Sequence, residues 1–418
     1  MINKKIIQMI PIIEDRLEFS ILELEPRNIG KYFYFTIDDI QEFQYIPIYE
    51  DFGPPSLVQI VEFIRYVENL LEKHQEVLHF YTCPNIQLRS NAFMYIMAFR
   101  MFHLRLTPQQ TIEPYKYITY KFYPFRDASM LPSTFDLTHL DVLCGLFKAV
   151  SLKWLNINDF DSVEFQRMKE ISEGDMSWII PKRLIACATP YSHSPISGGI
   201  NVVTPETAIP KFEQLGVHRI IRLNKQFYDS QIFKDAGFIH NELYFDDGTV
   251  PPKNIIEKFF DLMSDDSEIV ALHCKAGLGR TGTLAACYLI RKFDFTPREA
   301  IAWIRICRQG SIVGPQQEFL LKFDQQKIVP PKPPSTPRSR NPRNSFNNSK
   351  GYYLGSVFPD LYKNATKRRY LETAKSSRIP QTARGPYRSP FQNVAMRTAP
   401  SSPRNKRGFN YAELAFDV

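Results

Sequence analysis

The stretch HCKAGLGRTG, His273 to Gly282, crowds one cysteine, three glycines and one arginine between two apolar runs, "EIVAL" before it and "TLAACYLI" after it. A strand that ends in a cysteine and turns through glycines into a helix builds an anion cradle. Its backbone N–H groups point inward, and the helix N-terminus adds partial positive charge. Gly277 and Gly279 are expected to take backbone angles closed to other residues. Cys274 lies at the mouth of this positive site, where a thiol is expected to ionise well below its free pKa of about 8.5. Arg280, directly after the five-residue loop Lys275, Ala276, Gly277, Leu278 and Gly279, offers a planar fork for two phosphate oxygens. The pattern binds a dianion and aims a nucleophile at its phosphorus. A nucleotide-binding loop of the Walker type needs Gly-Lys before its Ser or Thr; here Thr283 follows Gly282 directly, which excludes it.

A thiolate expels an alkoxide poorly without an acid. "YFDDGTVPP" (244–252) supplies Asp246 and Asp247. The second precedes Gly248 in a Gly/Pro-flanked segment suited to a moving lid, so Asp247 is the expected acid, then the base that hydrolyses the phosphocysteine. Thr281 is placed to donate to the Cys274 sulfur. Gln316 and Gln317, after "IVGP", either orient the attacking water or are ordinary first-turn residues. Together these are the C-x5-R constellation of cysteine-based phosphatases, which needs no metal and no cofactor.

The elements that must position these groups follow from local pattern. "EIVALH" has the pattern of a buried strand and "GTLAACYLIRKF" that of a helix. In "FTPREAI", Thr296, Pro297 and Glu299 compose a capping box that starts the next helix, and "PQQEFLLKFDQQ" predicts one more. The same order occurs upstream: a helical pattern after "DFGPP", a strand "EVLHFY", Cys83 and Arg89 at C-x5-R spacing, a helix "NAFMYIMAFRMF", then Thr107 with Gln110 as another cap. The cysteine-to-threonine intervals are 24 and 22 residues, so the chain carries two diverged copies of one α/β unit. In the upstream copy Thr82 replaces the histidine, Pro84 removes an N–H donor, and Asn85 and Gln87 stand in an interval without glycine. That cradle is expected to bind phosphate poorly and to serve as a wall of the substrate groove.

The rest of the 418 residues bounds the protein's class. Six scattered cysteines without C-x-x-C spacing argue against zinc and disulfides and for a reducing intracellular setting. No run is apolar and long enough to span a membrane. The short apolar N-terminal segment meets Glu14 and Asp15 with no cleavage site, which argues against a signal peptide. After Pro330, 17 basic residues face 4 acidic ones, an excess of 13 over a whole-chain charge of +8; residues 1–330 are therefore net −5. The basic tail, 331–418, is rich in Pro, Ser, Asn and Arg and is expected to be disordered. It carries Thr-Pro or Ser-Pro steps at Thr336, Ser389 and Ser402, and suits docking to regulators, kinases or the cytoskeleton. No aromatic stacking platform accompanies its charge, so specific nucleic-acid binding is not expected.

The sequence closely resembles the cell-division-cycle-fourteen (Cdc-fourteen) family of dual-specificity phosphatases. The resemblance rests on "YTC" with "RSNA" (81–92), "YPFRDAS" (123–129), "GDMSWIIP" (174–181), "IIRLNKQFYD" (220–229), "DAGFIHNELYFDDG" (235–248), "HCKAGLGRTGTLAACY" (273–288) and "AIAWIRICRQGSIVGPQQEFL" (300–320). It implies an α/β fold of two tandem dual-specificity-phosphatase-like domains, the first degenerate, followed by the disordered basic tail. The expected boundaries are a degenerate domain over 1–160, a linker helix over 161–180, the catalytic domain over 181–330 and the tail over 331–418. The resemblance further implies Cys274 as nucleophile, Arg280 as phosphate binder and Asp247 as acid. It implies phosphoprotein substrates with Ser/Thr-Pro sites, antagonism of proline-directed cell-cycle kinases, and a place in nucleus and cytoplasm, including nucleolus, spindle or centrosome and basal body. "DGTVPP" departs from the family's usual "DGSTP". Two rival readings are a phosphoinositide phosphatase, against which Leu278 stands where a lysine would serve, and a binding-only pseudophosphatase.

Overall fold

In a computed structural model, residues 6–26, 30–130, 132–194 and 201–324 are described. The tail expected over 331–418 lies outside the described residues.

The first half contains strands β1 (Ile6–Ile13), β2 (Leu17–Leu22) and β3 (Tyr32–Phe35), helix α1 (Leu57–Lys73), β4 (Val77–Thr82), and helices α2 (Ile86–Leu104), α3 (Pro108–Ile112) and α4 (His139–Ser151). Its sheet runs β1-β2-β4-β3, with an antiparallel β1/β2 edge and parallel pairing onto β4. Helix α5 (Ser162–Met168) leads to the second half: β5 (Met176–Ile180), β6 (Leu184–Cys187), α6 (Pro205–Gln214), β7 (Val217–Arg222), α7 (Ser230–Asp235), β8 (Ile239–Glu242), α8 (Lys253–Leu262), β9 (Ile269–His273), α9 (Gly279–Phe293), α10 (Pro297–Cys307) and α11 (Pro315–Asp324). The second sheet runs β5-β6-β9-β7-β8, again with one antiparallel edge pair and a parallel centre. In both halves an inner, parallel-paired strand ends at the cysteine, β4 at Cys83 and β9 at Cys274. The repeat read from the sequence is therefore a repeat of structure.

The local signals held where chemistry is local. Thr107 accepts the Gln110 N–H and Thr296 that of Glu299, and both capping boxes are closed by the returning side chain. The span 161–180 departs from the expected linker helix. It holds a short α-helix, Ser162–Met168, and one 3-10 turn, Ile171–Glu173, and Met176–Ile180 is an edge strand of the second sheet. Both faces of this strand are buried, Ser177 and Ile179 on one and Met176 and Ile180 on the other, and its place in the sheet comes from pairing with β6.

The halves do not stand apart. Most of their buried apolar residues merge into one continuous core, and a smaller cluster around Phe212 and Phe233 forms a second core within the second half. At the centre of the larger core α4 crosses α10 at Gly145, where a side chain would press to 2.9 Å from the Glu299 carbonyl and 3.1 Å from the Trp303 nitrogen. The Trp303 indole donates to the Ile179 carbonyl (2.9 Å), and Arg298 reaches Asp141 across the seam (2.9 Å). A close helix crossing of this kind fixes the first half as a rigid wall beside the second.

Candidate active site

Strand β9 is buried over Val270–His273 and delivers Cys274 to the end of the sheet, with 3% of its surface exposed. The chain then turns through 275–278 into α9. Three successive carbonyls of that turn face outward and are tied down. Lys275 O accepts the Thr189 N–H (3.0 Å), Ala276 O accepts Arg308 Nη2 (2.9 Å), and Gly277 O accepts Arg308 Nε (2.8 Å). Carbonyls held on the outside are what a loop needs to present its N–H groups inward to an anion. Arg308 is itself gripped by both Asp175 carboxylate oxygens, at 2.9 and 2.8 Å. Gly277 has φ +67°, as expected. Gly279 does not take a positive φ; its reason is space, because a side chain there would stand 3.2 Å from the Gln316 amide.

Arg280 is 3% exposed and its guanidinium is aimed by backbone: Nη1 donates to Phe245 O (3.0 Å) and Leu223 O (3.3 Å). Its Nε is buried without a partner, a donor left over for an oxyanion. Asp247 Oδ2 lies 3.2 Å from Arg280 Nη2, on a carboxylate 60% exposed. Asp246 is turned to the neighbouring ring instead, accepting the Tyr244 hydroxyl at 2.6 Å. Of the two acids in this loop, Asp247 is the one set against Arg280.

The other expected groups divide. Gln316 donates to Thr249 O in the acid loop (3.2 Å) and accepts the Val313 N–H (3.1 Å), at the cavity wall. Gln317 points away from the cavity. It is fully buried, accepting from Arg305 (2.6 Å) and donating to Asp127 (3.1 Å). The Thr281 hydroxyl is buried and makes no hydrogen bond, so the expected donation to the Cys274 sulfur is not formed in this state.

These side chains border a cleft of about 590 Å³. Cys274, Arg280, Asp247, Lys225 and Tyr244 line it from the second half, and Ile48, Tyr49 and Ala128 from the first. Asp51 fixes that wall by accepting the Ile48 and Tyr49 N–H groups, each at 2.9 Å. Among the described residues no cluster of His, Cys, Asp and Glu is placed to hold a metal, and no helix is long and apolar enough to cross a membrane.

Beneath the loop, the Tyr228 hydroxyl bridges His273 Nε2 (2.7 Å) and His240 Nε2 (2.8 Å). One hydroxyl proton serves two imidazoles, so one ring donates and the other accepts. Burial pushes His273 down to about 3, which keeps it neutral below the cysteine. Neither this bridge nor the Asp175–Arg308 grip was identified from sequence. Both lie within stretches that carry the family resemblance, and that was their only signal.

The upstream copy shows the contrast. Asp38 occupies its strand end, accepting the Thr82 hydroxyl and the Cys83 N–H, each at 2.8 Å. Burial holds the Cys83 thiol above its usual range, and the Asp38 carboxylate adds to the shift. An anion already bonded into the chain is the reverse of a vacant phosphate cradle.

Comparison with known proteins places the two halves separately. The family model described as "Dual specificity protein phosphatase, N-terminal half" matches residues 11–149. The one described as "Polymorphic toxin system, DSP-PTPase phosphatase" matches 198–294. The mouse "Dual specificity protein phosphatase CDC14B" is 38% identical over 313 residues, covering 74% of this chain and 64% of that protein. The human "Dual specificity protein phosphatase CDC14C" is 37% identical over 313 residues, with 74% and 69% covered. The "Tyrosine-protein phosphatase CDC14 homolog" of Schizosaccharomyces pombe is 36% identical over 337 residues, with 75% and 60% covered. The match thus spans less than two thirds of the mouse and yeast relatives.

Proposed function

The chain belongs to the CDC14 family of dual specificity protein phosphatases, and from that membership we propose that it hydrolyses phosphoserine, phosphothreonine and phosphotyrosine in proteins through a phosphocysteine. The Cys274 thiolate attacks phosphorus; the S–P bond forms as the P–O bond to the substrate breaks. Arg280 and the N–H groups of 275–280 hold the three equatorial oxygens, where charge is greatest in the transition state. Asp247, protonated, gives its proton to the departing oxygen, then as carboxylate takes one from the water that cleaves the S–P bond. Gln316 orients that water. The single observation that carries this reading is the cavity itself, which joins Cys274, Arg280, Asp247 and Gln316 within one cleft.

Preference for a following proline, opposition to cyclin-dependent kinases in cell-cycle exit, cytokinesis or cilium and centrosome function, and residence in nucleus and cytoplasm complete the proposal. Family membership supports them, and the wall of Ile48, Tyr49 and Ala128 beside Cys274 supports the proline preference alone. Phosphate release from matched phosphoserine-proline and phosphoserine-alanine peptides and from a phosphoinositide tests it. Faster release from the proline peptide is expected. Preferential release from the lipid overturns the protein-substrate reading, and binding without turnover would make the chain a pseudophosphatase.

A further inference from the structure

Asp127 belongs to the first half, yet it is 1% exposed and its carboxylate is spent almost wholly on the second. Oδ2 accepts the Gly314 N–H at 2.6 Å and Gln317 Nε2 at 3.1 Å, while Oδ1 accepts the Ser129 hydroxyl at 2.8 Å, which fixes its orientation. The segment it holds is gripped from the opposite side by Arg305 of α10. That guanidinium donates to Ser311 O (3.0 Å), Ile312 O (2.7 Å) and Gln317 Oε1 (2.6 Å). Between the two charges runs the stretch that brings Val313 and Gln316 to the cleft. Gln316 then reaches Thr249 O, two residues beyond Asp247. A path therefore runs from Asp127 by a hydrogen bond to Gly314, along two residues of backbone to Gln316, and by a second hydrogen bond to the acid loop.

We propose that Asp127 is a positioning residue for the acid step, so that the degenerate half takes part in the chemistry of the active half and is more than a wall. This rests on the reading of Asp247 as general acid. A buried carboxylate accepting three donors is a rigid reference point, because its charge strengthens each bond and its loss strands each donor. Gln316 needs that reference. Among the described residues its segment pairs with no strand, and its one long-range side-chain bond crosses to a loop where Asp247 is 60% exposed. Without Asp127 the segment gains freedom at Gly314, and the Gln316 contact that holds Thr249 drifts with it.

The step this affects is protonation of the leaving oxygen. An aryl phosphate has a good leaving group and needs little acid; a phosphoserine peptide needs it fully. Asp127→Ala in the full chain is therefore expected to lower kcat/KM for a phosphoserine peptide about tenfold, while kcat/KM for nitrophenyl phosphate stays within about twofold. Asp127→Asn keeps one oxygen acceptor and is expected to fall between Asp127→Ala and wild type. It also carries the comparison if the alanine variant does not fold. A residue that only stabilised the fold would lower the melting temperature and scale both substrates alike; that result overturns the proposal. Hydrogen exchange gives a readout free of turnover. Amides at 244–250 and 311–317 should exchange faster in Asp127→Asn, and unchanged protection at 244–250 overturns the coupling even if rates shift. Absence of Cys274-dependent turnover in wild type would fail the phosphatase reading instead, with the exchange comparison still deciding the coupling.

Discussion

Gly277→Ala tests the architecture of the phosphate loop at its tightest point. Gly277 has φ +67°, and a methyl group there would stand 2.1 Å from the Cys187 carbonyl oxygen and 2.5 Å from its carbon. Ordinary contact begins near 3.4 Å, so the overlap exceeds 1 Å. The obstacle is backbone, and no rotamer relieves it: Cys187 pairs in register with His273 on β9, the strand that delivers Cys274. Left-handed backbone costs a non-glycine residue about 1–2 kcal/mol, and overpacking adds about 1–3 kcal/mol. The expected destabilisation is therefore about 2–5 kcal/mol. Relief must come from moving the loop by about 1 Å, enough for a loss of about a hundredfold in kcat/KM. Arg308, 2.9 Å from the same position, would be displaced as well. Gly237→Ala is the control: φ is +94° but nothing lies within 4 Å, so it should cost only the backbone strain and leave turnover intact. Urea unfolding and aryl phosphate kinetics measure both. Equal behaviour of the two variants, or wild-type values for Gly277→Ala, would refute the reasoning.

Asp247→Ala should slow release from phosphoserine peptides by about a hundredfold or more and from nitrophenyl phosphate much less; equal losses would remove Asp247 from the acid role. Arg308→Ala leaves the Asp175 carboxylate and the Ala276 and Gly277 carbonyls without their donor, and should cost about 3–5 kcal/mol in a urea titration together with phosphate affinity. A cost below 1 kcal/mol would show that the loop holds its own shape. Burial holds His273 at about 3 and His139 at about 4. Both sit below the unfolded value of about 6.5, so the unfolded chain binds more protons there, and stability falls as pH drops from about 6.5 toward 4. Urea midpoints that hold level from pH 7 to pH 5 would contradict this.

What the sequence disclosed was what is encoded within a few residues. The Thr107 and Thr296 caps, strands β4 and β9, and the loop from Cys274 to Arg280 each follow from near-neighbour chemistry, and each formed. The repeat was legible because its parts kept their order. Gly279 was read by its torsion when its packing against Gln316 governs, since a glycine's neighbours in space are invisible in one sequence. Gln316 and Gln317 looked alike for the same reason, yet adjacent helix positions face different ways, and only the first meets the cleft. The strand at 176–180 was lost to the helix before it because its partner, β6, announces itself only through pairing. The least legible features are those that link distant charge to backbone: Arg308 to Asp175 across 133 positions and Asp127 to Gly314 across 187. No periodicity or spacing encodes such pairs.

The central claim is that Cys274, and not Cys83, carries the phosphoryl group during turnover. Rapid acid quench of the full chain with a phosphoserine-proline peptide, followed by mass mapping of the cysteine peptides, measures it directly. The account predicts a phosphoryl group on Cys274, absent from Cys83 and lost in Cys274→Ser along with turnover. Phosphate release that persists in Cys274→Ser, or label on Cys83, would contradict it.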